Sequence, residues 1–281
     1  MAAVGYGVSD FVGGVASRRV AALRVVIVSY PLSLLLVLAL APLVGGEVTG
    51  EALLWGAASG VGSGLAVWWF YLALASGPMA VVSPLTAVLV AGLPAIVGIV
   101  LGERPGAVAY LGIAMALVAV TLVSKESPDE VAGEVAGGRE LRFTRTVAWL
   151  TVGSGVAFAF AFVGLHEIPD GTGLWPLAAA RATATVVVWL VALSARQFRP
   201  PHGEVLRLCV YIALLDVVAN AAMMYAFQGG LLSLVSVIGS LYPAATVLLA
   251  MVMLGERVSR VQQAGMLLAL ASVAMIAVAA T

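Results

Sequence analysis

Val100-Leu101-Gly102-Glu103-Arg104 returns 153 residues later as Met253-Leu254-Gly255-Glu256-Arg257, and each copy stands between long apolar stretches. At the same offset Gly112 falls on Gly265, Val82-Ser83 on Val235-Ser236 and Gly77 on Gly230, so the match runs through about three helices. The chain is one apolar unit written twice. Internal duplication of this kind in a hydrophobic chain is a signature of membrane transporters.

Hydrophobic residues make up 62% of the 281 and charged residues 10%, with a mean hydropathy of +1.10. Ordinary globular chains are about half apolar and a quarter charged, so the expected solvent is lipid. A bilayer core needs about 20 apolar residues per spanning helix. Ten runs fit, at 2–17, 22–44, 52–75, 79–101, 106–123, 146–164, 173–195, 205–227, 231–254 and 260–280. The first has no basic leader and no small-residue cleavage site, and is expected to be a retained helix rather than a signal peptide.

Between the fifth and sixth runs lies the one long polar stretch, rich in Glu, Gly, Arg and Ser, which reads as a solvated linker. The predicted organisation is a first five-helix repeat over 1–123, a linker over 124–145 and a second repeat over 146–281. An odd number of crossings per repeat inserts the second copy upside down. The expected fold is therefore an all-α integral membrane protein of ten transmembrane helices in two inverted repeats. Arg18, Arg19, Lys125, Arg139, Arg142, Arg145, Arg196, Arg199, Arg207, Arg257 and Arg260 fall in alternate connections, against Arg104 in the opposite set. By the positive-inside rule this places both termini outside.

Some function classes drop out. Zero formal net charge gives no basis for neutralising nucleic-acid phosphates. Cys209 is the only cysteine and there are two histidines, so no disulfide framework, metal cluster or convergent catalytic constellation is expected. No P-loop signature is present, which excludes intrinsic ATP-driven transport. No cofactor is expected.

Ionisable groups at membrane depth cost at least about 2.5 kcal/mol on insertion scales, so each needs a partner, a cavity or a function. Asp216 and Asn220, four residues apart, put a carboxylate and an amide on one face of the eighth run; they line a cavity or act as interhelical glue. Asp10 follows Tyr6, itself a candidate, by one helical turn, and is a proton or counter-ion site, a structural partner of Arg24, or a helix-end carboxylate near Arg18. Arg24 and Arg181, near the start of the second helix of each half, pair with Asp10 or Asp216, bind an anionic substrate, or snorkel to the interface. Trp69, in the cluster Trp68-Trp69-Phe70-Tyr71, is a stacking or cation–π candidate beside the plain reading of an interfacial belt. Pro84, Pro94 and Pro243 interrupt backbone bonding in the fourth and ninth runs, as gating kinks or static bends. Glu103-Arg104 and Glu256-Arg257 read as helix caps and ion pairs at the interface. His166 and Glu167 read as solvated loop residues. Gly56, Gly60 and Gly64 form a small-residue face for close helix approach, within the fold or in a homodimer.

Pro94 with Leu101-Gly102-Glu103-Arg104 and Gly112, then Pro243 with Leu254-Gly255-Glu256-Arg257 and Gly265, together resemble the EamA-type ten-helix transporters of the drug/metabolite transporter superfamily. Arg24 and Arg181 match a recurrent arginine of that family. Gly5-Tyr6-Gly7-Val8-Ser9-Asp10-Phe11 resembles its opening helix, with Tyr6 where many members carry tryptophan. The basic pattern around Arg18-Arg19 reverses that of members with cytoplasmic termini. The resemblance implies a multi-pass protein of the cell (inner) membrane that moves a small metabolite or drug through a central cavity. A secondary carrier, running on a proton or down the solute's own gradient, is the expected activity. A non-transporting membrane component such as a receptor or assembly factor, or an intramembrane enzyme, is the alternative.

Overall fold

A backbone in lipid has no water to bond, so each apolar run must close its own hydrogen bonds, and helices do so within one segment. The structure, a computed structural model, describes residues 1–17, 19–76, 79–123, 144–254 and 259–279. It is all helical among the described residues: α1 Ala2–Ser17, α2 Ala22–Val44, α3 Gly50–Ser76, α4 Met79–Val100, α5 Ala107–Val123, α6 Arg145–His166, α7 Trp175–Ser194, α8 Glu204–Gly229, α9 Leu232–Gly239, α10 Tyr242–Leu254 and α11 Arg260–Ala279. Five of these contain stretches long and apolar enough to cross a membrane, namely Leu23–Val44, Gly50–Phe70, Arg145–His166, Trp175–Ser194 and Glu204–Gly229. Leu85–Val100, Ala107–Leu122 and Arg260–Ile276 are shorter apolar helices. The expected linker lies almost wholly outside the described residues.

Polar side chains set several helix starts. Thr49 Oγ1 accepts from Ala52 N at 3.2 Å before α3, and Thr144 Oγ1 accepts from Val147 N at 3.3 Å before α6. Ser259 and Gln262 form a reciprocal capping box at α11, with bonds of 3.0 and 3.2 Å.

The chain folds into two compact units that do not follow the sequence halves. The first joins Met1–Trp68 to Phe160–Gly230, and the second joins Trp69–Ala159 to Leu231–Thr281. Each unit therefore combines helices from both halves, because an apolar face left open by one half is covered by helices of the other.

In the first unit α1 packs on α8, and α2 packs on both α7 and α8. Ala16, Val25, Val205 and Cys209 form one buried cluster there. The small-residue face of α3 meets α7: a Cβ on Gly56 would run into the Pro176 backbone, one on Gly60 into Ala180 and Thr183, and one on Gly64 would lie 2.8 Å from Val187. Thr183 Oγ1 donates to Ala57 O at 3.0 Å across the same contact. That face is occupied inside the chain, so a homodimer would need another surface.

In the second unit α5 packs along α11, with Ala109, Ala116 and Ile276 buried between them. A Cβ on Gly112 would approach Ile276 to 2.7 Å, which is why the duplicated glycine is small here. The Leu-Gly-Glu-Arg segment works as a joint. Gly102, at φ +110°, donates to Ile99 O at 3.2 Å while Glu103 N donates to Gly98 O at 3.0 Å, a Schellman closure of α4. The Glu103 carboxylate then accepts from Leu232 N at 2.5 Å and Ser233 N at 3.0 Å, capping α9 from the turn that follows α4. Arg104 Nη1 donates to Ile99 O at 3.2 Å.

The ninth run is not one helix. It breaks at Ser240-Leu241, where Ser240 Oγ donates back to Ser236 O at 2.7 Å and Pro243, at the second position of α10, has no N–H to continue the ladder. By contrast α4 runs unbroken through positions 84 and 94, with Pro94 buried. The side chains of Pro84 and Pro243 lie outside the described residues.

Candidate functional site

Helix α8 carries Asp216 near its middle, and its 3.6-residue period stacks Asn220 one turn beyond. Asn220 Nδ2 donates to Asp216 Oδ1 at 2.9 Å and to the Asp216 carbonyl at 2.8 Å. Ser33 Oγ, from the middle of α2, donates to Asp216 Oδ2 at 2.6 Å. From α1, the Tyr6 hydroxyl donates to Asn220 Oδ1 at 2.9 Å. From α7, Arg181 Nη1 stands 3.3 Å from Asp216 Oδ2, with only 6% of its side chain and 16% of the Asp216 side chain exposed. The guanidinium carbon lies 5.4 Å from the centroid of the Tyr30 ring, a cation–π placement. Six residues on four helices thus form one network inside the first unit.

The arrangement has an unfinished side. Asp216 meets the guanidinium through Nη1 alone, and Arg181 Nε is buried without a hydrogen-bond partner. A buried donor left unmade is costly, about 1–3 kcal/mol and more when charged. Chemically the site offers a carboxylate that can take a proton, a cation with an unbonded Nε, and the hydroxyl or amide groups of Tyr6, Tyr30, Ser33 and Asn220 around them. Metal binding has no support among the described residues, where no grouping of three His, Cys, Asp or Glu occurs.

Tyr6, Arg181, Asp216 and Asn220 are brought together as candidates. Arg181 does not snorkel; at 5% exposure it is held in the interior by its carboxylate. Asp10 lies on α1, but its side chain is outside the described residues. Trp69 belongs to the second unit, where its ring lies against Gly153 of α6, and is no part of this network. Arg24 is half-buried, and its Nε has no hydrogen-bond partner. His166 is a further correction: it ends α6, with Nδ1 3.3 Å from Phe227 O and its ring edge-on to Phe227.

Tyr30 and Ser33 were missed by sequence reasoning. Their signal was present as Ser29-Tyr30-Pro31-Leu32-Ser33, a polar patch in a 23-residue helix that is otherwise apolar beyond Arg24. Their partners lie far away in sequence, Ser33 and Asp216 being separated by 183 positions. The network is also not duplicated. The 153-residue offset that aligns the two Leu-Gly-Glu-Arg copies sets Asp216 against Ser63 and Asn220 against Val67.

A solved crystal structure superposes with a TM-score of 0.74, at 16% identity, covering 98% of this chain and 95% of its own. That likeness is one of fold. No curated protein matches the chain. Residues 145–278 match the model of the EamA-like transporter family. Through that second half, the chain is similar to the EamA-like transporter family.

Proposed function

We propose that the protein is a secondary transporter with ten spans in two inverted five-helix repeats, and that a small metabolite or drug-like solute passes at the Arg181–Asp216 network. The observation that carries this reading is the buried ion pair itself. Desolvating two charges at membrane depth is expensive and often yields no net stability. A pair that is joined at one nitrogen, leaves Arg181 Nε unbonded and has no counterpart in the other repeat is poorly explained as scaffold. Helices from both sequence halves meet around it, α1 and α2 from the first and α7 and α8 from the second, as expected of a site on the repeat interface. The discontinuous ninth span, α9 and α10, supplies a second feature common among carriers, a broken helix at membrane depth.

The membrane is the cell (inner) membrane, and the distribution of basic residues puts both termini outside. The test is flux. Vesicles bearing the purified chain and loaded with a soluble cell extract are expected to release particular solutes, identified by mass spectrometry. Asp216→Asn, inserted at the same level, is expected to release them at least tenfold more slowly. Equal release from protein-free vesicles would reject transport, and equal release by Asp216→Asn would remove the network from it.

A further inference from the structure

We propose that the solute is an organic monoanion with a carboxylate head, held by the Nε side of Arg181, and that it travels with one proton carried on Asp216. This rests on the transporter reading above and adds to it the substrate class and the coupling.

Shape argues for the head group. A guanidinium presents Nε and Nη2 as a side-on fork matched to the two oxygens of a carboxylate. Asp216 occupies Nη1 instead, and Nε is bonded to nothing in a residue that is 95% buried. The Tyr30 ring lies over the guanidinium, 5.4 Å from its central carbon, and helps to hold the cation in place before any ligand arrives.

Charge argues for the proton. As folded, Arg181 and Asp216 sum to zero. A carboxylate arriving at Arg181 makes the site negative, and a proton on Asp216 returns it to neutral. An arriving cation has no such remedy, because a guanidinium does not give up its proton in proteins. Among the described residues, the titratable groups joined to Asp216 in this network are Tyr6 from α1, Tyr30 from α2 and Arg181 from α7. A phenol and a guanidinium already hold their protons in ordinary conditions, so Asp216 is the group of this network that can take one up. Protonation also weakens the hold of Asp216 on Arg181, which frees the guanidinium for the solute. The site can therefore absorb a negative charge and not a positive one.

Proteoliposomes of the full chain are loaded with yeast extract as the probe, and released compounds are identified by mass spectrometry. Carboxylate monoanions are expected in the released set. A one-unit pH gradient is expected to sustain about a tenfold concentration ratio of each, the limit for one proton per anion. Clamping the membrane potential should leave that ratio unchanged. Asp216→Asn should exchange the same anions slowly with a ratio near one. Arg181→Lys keeps Asp216 neutralised but has no fork, and is expected to lose carboxylate flux at least tenfold. Release of cations, zwitterions or neutral solutes, a ratio near one in the unmodified chain, or undiminished carboxylate flux in Arg181→Lys would each overturn the proposal while leaving transport standing. Absence of any release overturns the transporter reading instead.

Discussion

Removing Asp216 and Arg181 singly and together separates a functioning pair from two chance neighbours. At 3.3 Å and an effective dielectric of about 20, the Coulomb attraction is about 5 kcal/mol. Asp216 keeps 16% of its side chain exposed and also accepts from Ser33 and Asn220, so part of that attraction is screened or shared. A coupling of about 2 kcal/mol is expected, against an average of about 0.6 kcal/mol for polar contacts between membrane helices. Asp216→Asn strands a 95%-buried guanidinium and should cost about 3 kcal/mol; Arg181→Met strands the carboxylate at a similar cost. The double variant should cost clearly less than the two costs added together. The assay is unfolding in mixed micelles with increasing dodecyl sulfate, followed by tryptophan fluorescence. Single costs that add to within about 0.5 kcal/mol would refute the pairing.

Ser33→Ala, which deletes a 2.6 Å donor to Asp216, is expected to cost about 1–2 kcal/mol and to alter the pH dependence of flux; an unchanged pH profile would take Ser33 out of the site. Gly60→Val should prevent stable folding because its Cβ would enter Ala180 and Thr183, whereas Gly13→Ala, with open space around it, should be neutral or raise stability by about 0.5–1 kcal/mol; the reverse order in melting temperature would contradict the α3–α7 contact. Glu103→Gln should destabilise by about 1 kcal/mol through loss of the charged cap on α9, while exposed Arg104→Ala should stay within about 0.5 kcal/mol; equal effects would remove the cap from the stability of the joint. A reporter fused to the C-terminus should be active only outside the cytoplasm, and cytoplasmic activity would reverse the predicted orientation.

Helix positions were legible because hydropathy and backbone bonding point the same way in lipid. The run 22–44 coincides with Ala22–Val44, and 205–227 is extended by two residues or fewer into Glu204–Gly229. The break in 231–254 was legible in part, since Pro243 marked an interruption, but α4 runs unbroken past two prolines, so proline alone did not tell a bend from a full break at Ser240-Leu241. Interleaving of the two halves was equally hidden. It is decided by which faces fit, as where Gly56, Gly60 and Gly64 receive Pro176, Ala180 and Val187. At the candidate site, Asp216 and Asn220 stood out by being four residues apart, and Arg181 by being charged within an apolar run. Tyr30 and Ser33 did not, because a hydroxyl in a membrane helix usually bonds its own backbone, as Thr185 does to Arg181 O at 2.7 Å.

The most direct test of a carrier site is whether the network opens to water on both sides of the membrane. Cys209, buried and the single native thiol, is replaced by serine, and Ser33, fully buried beside Asp216, is replaced by cysteine. Reaction of Ser33→Cys with a membrane-impermeant maleimide, applied separately from each face of sealed vesicles, is then timed by mass spectrometry. Labelling from both faces, with transported solute shifting the ratio of the two rates, is the predicted result; labelling from neither face, or from one alone whatever solute is present, would contradict it.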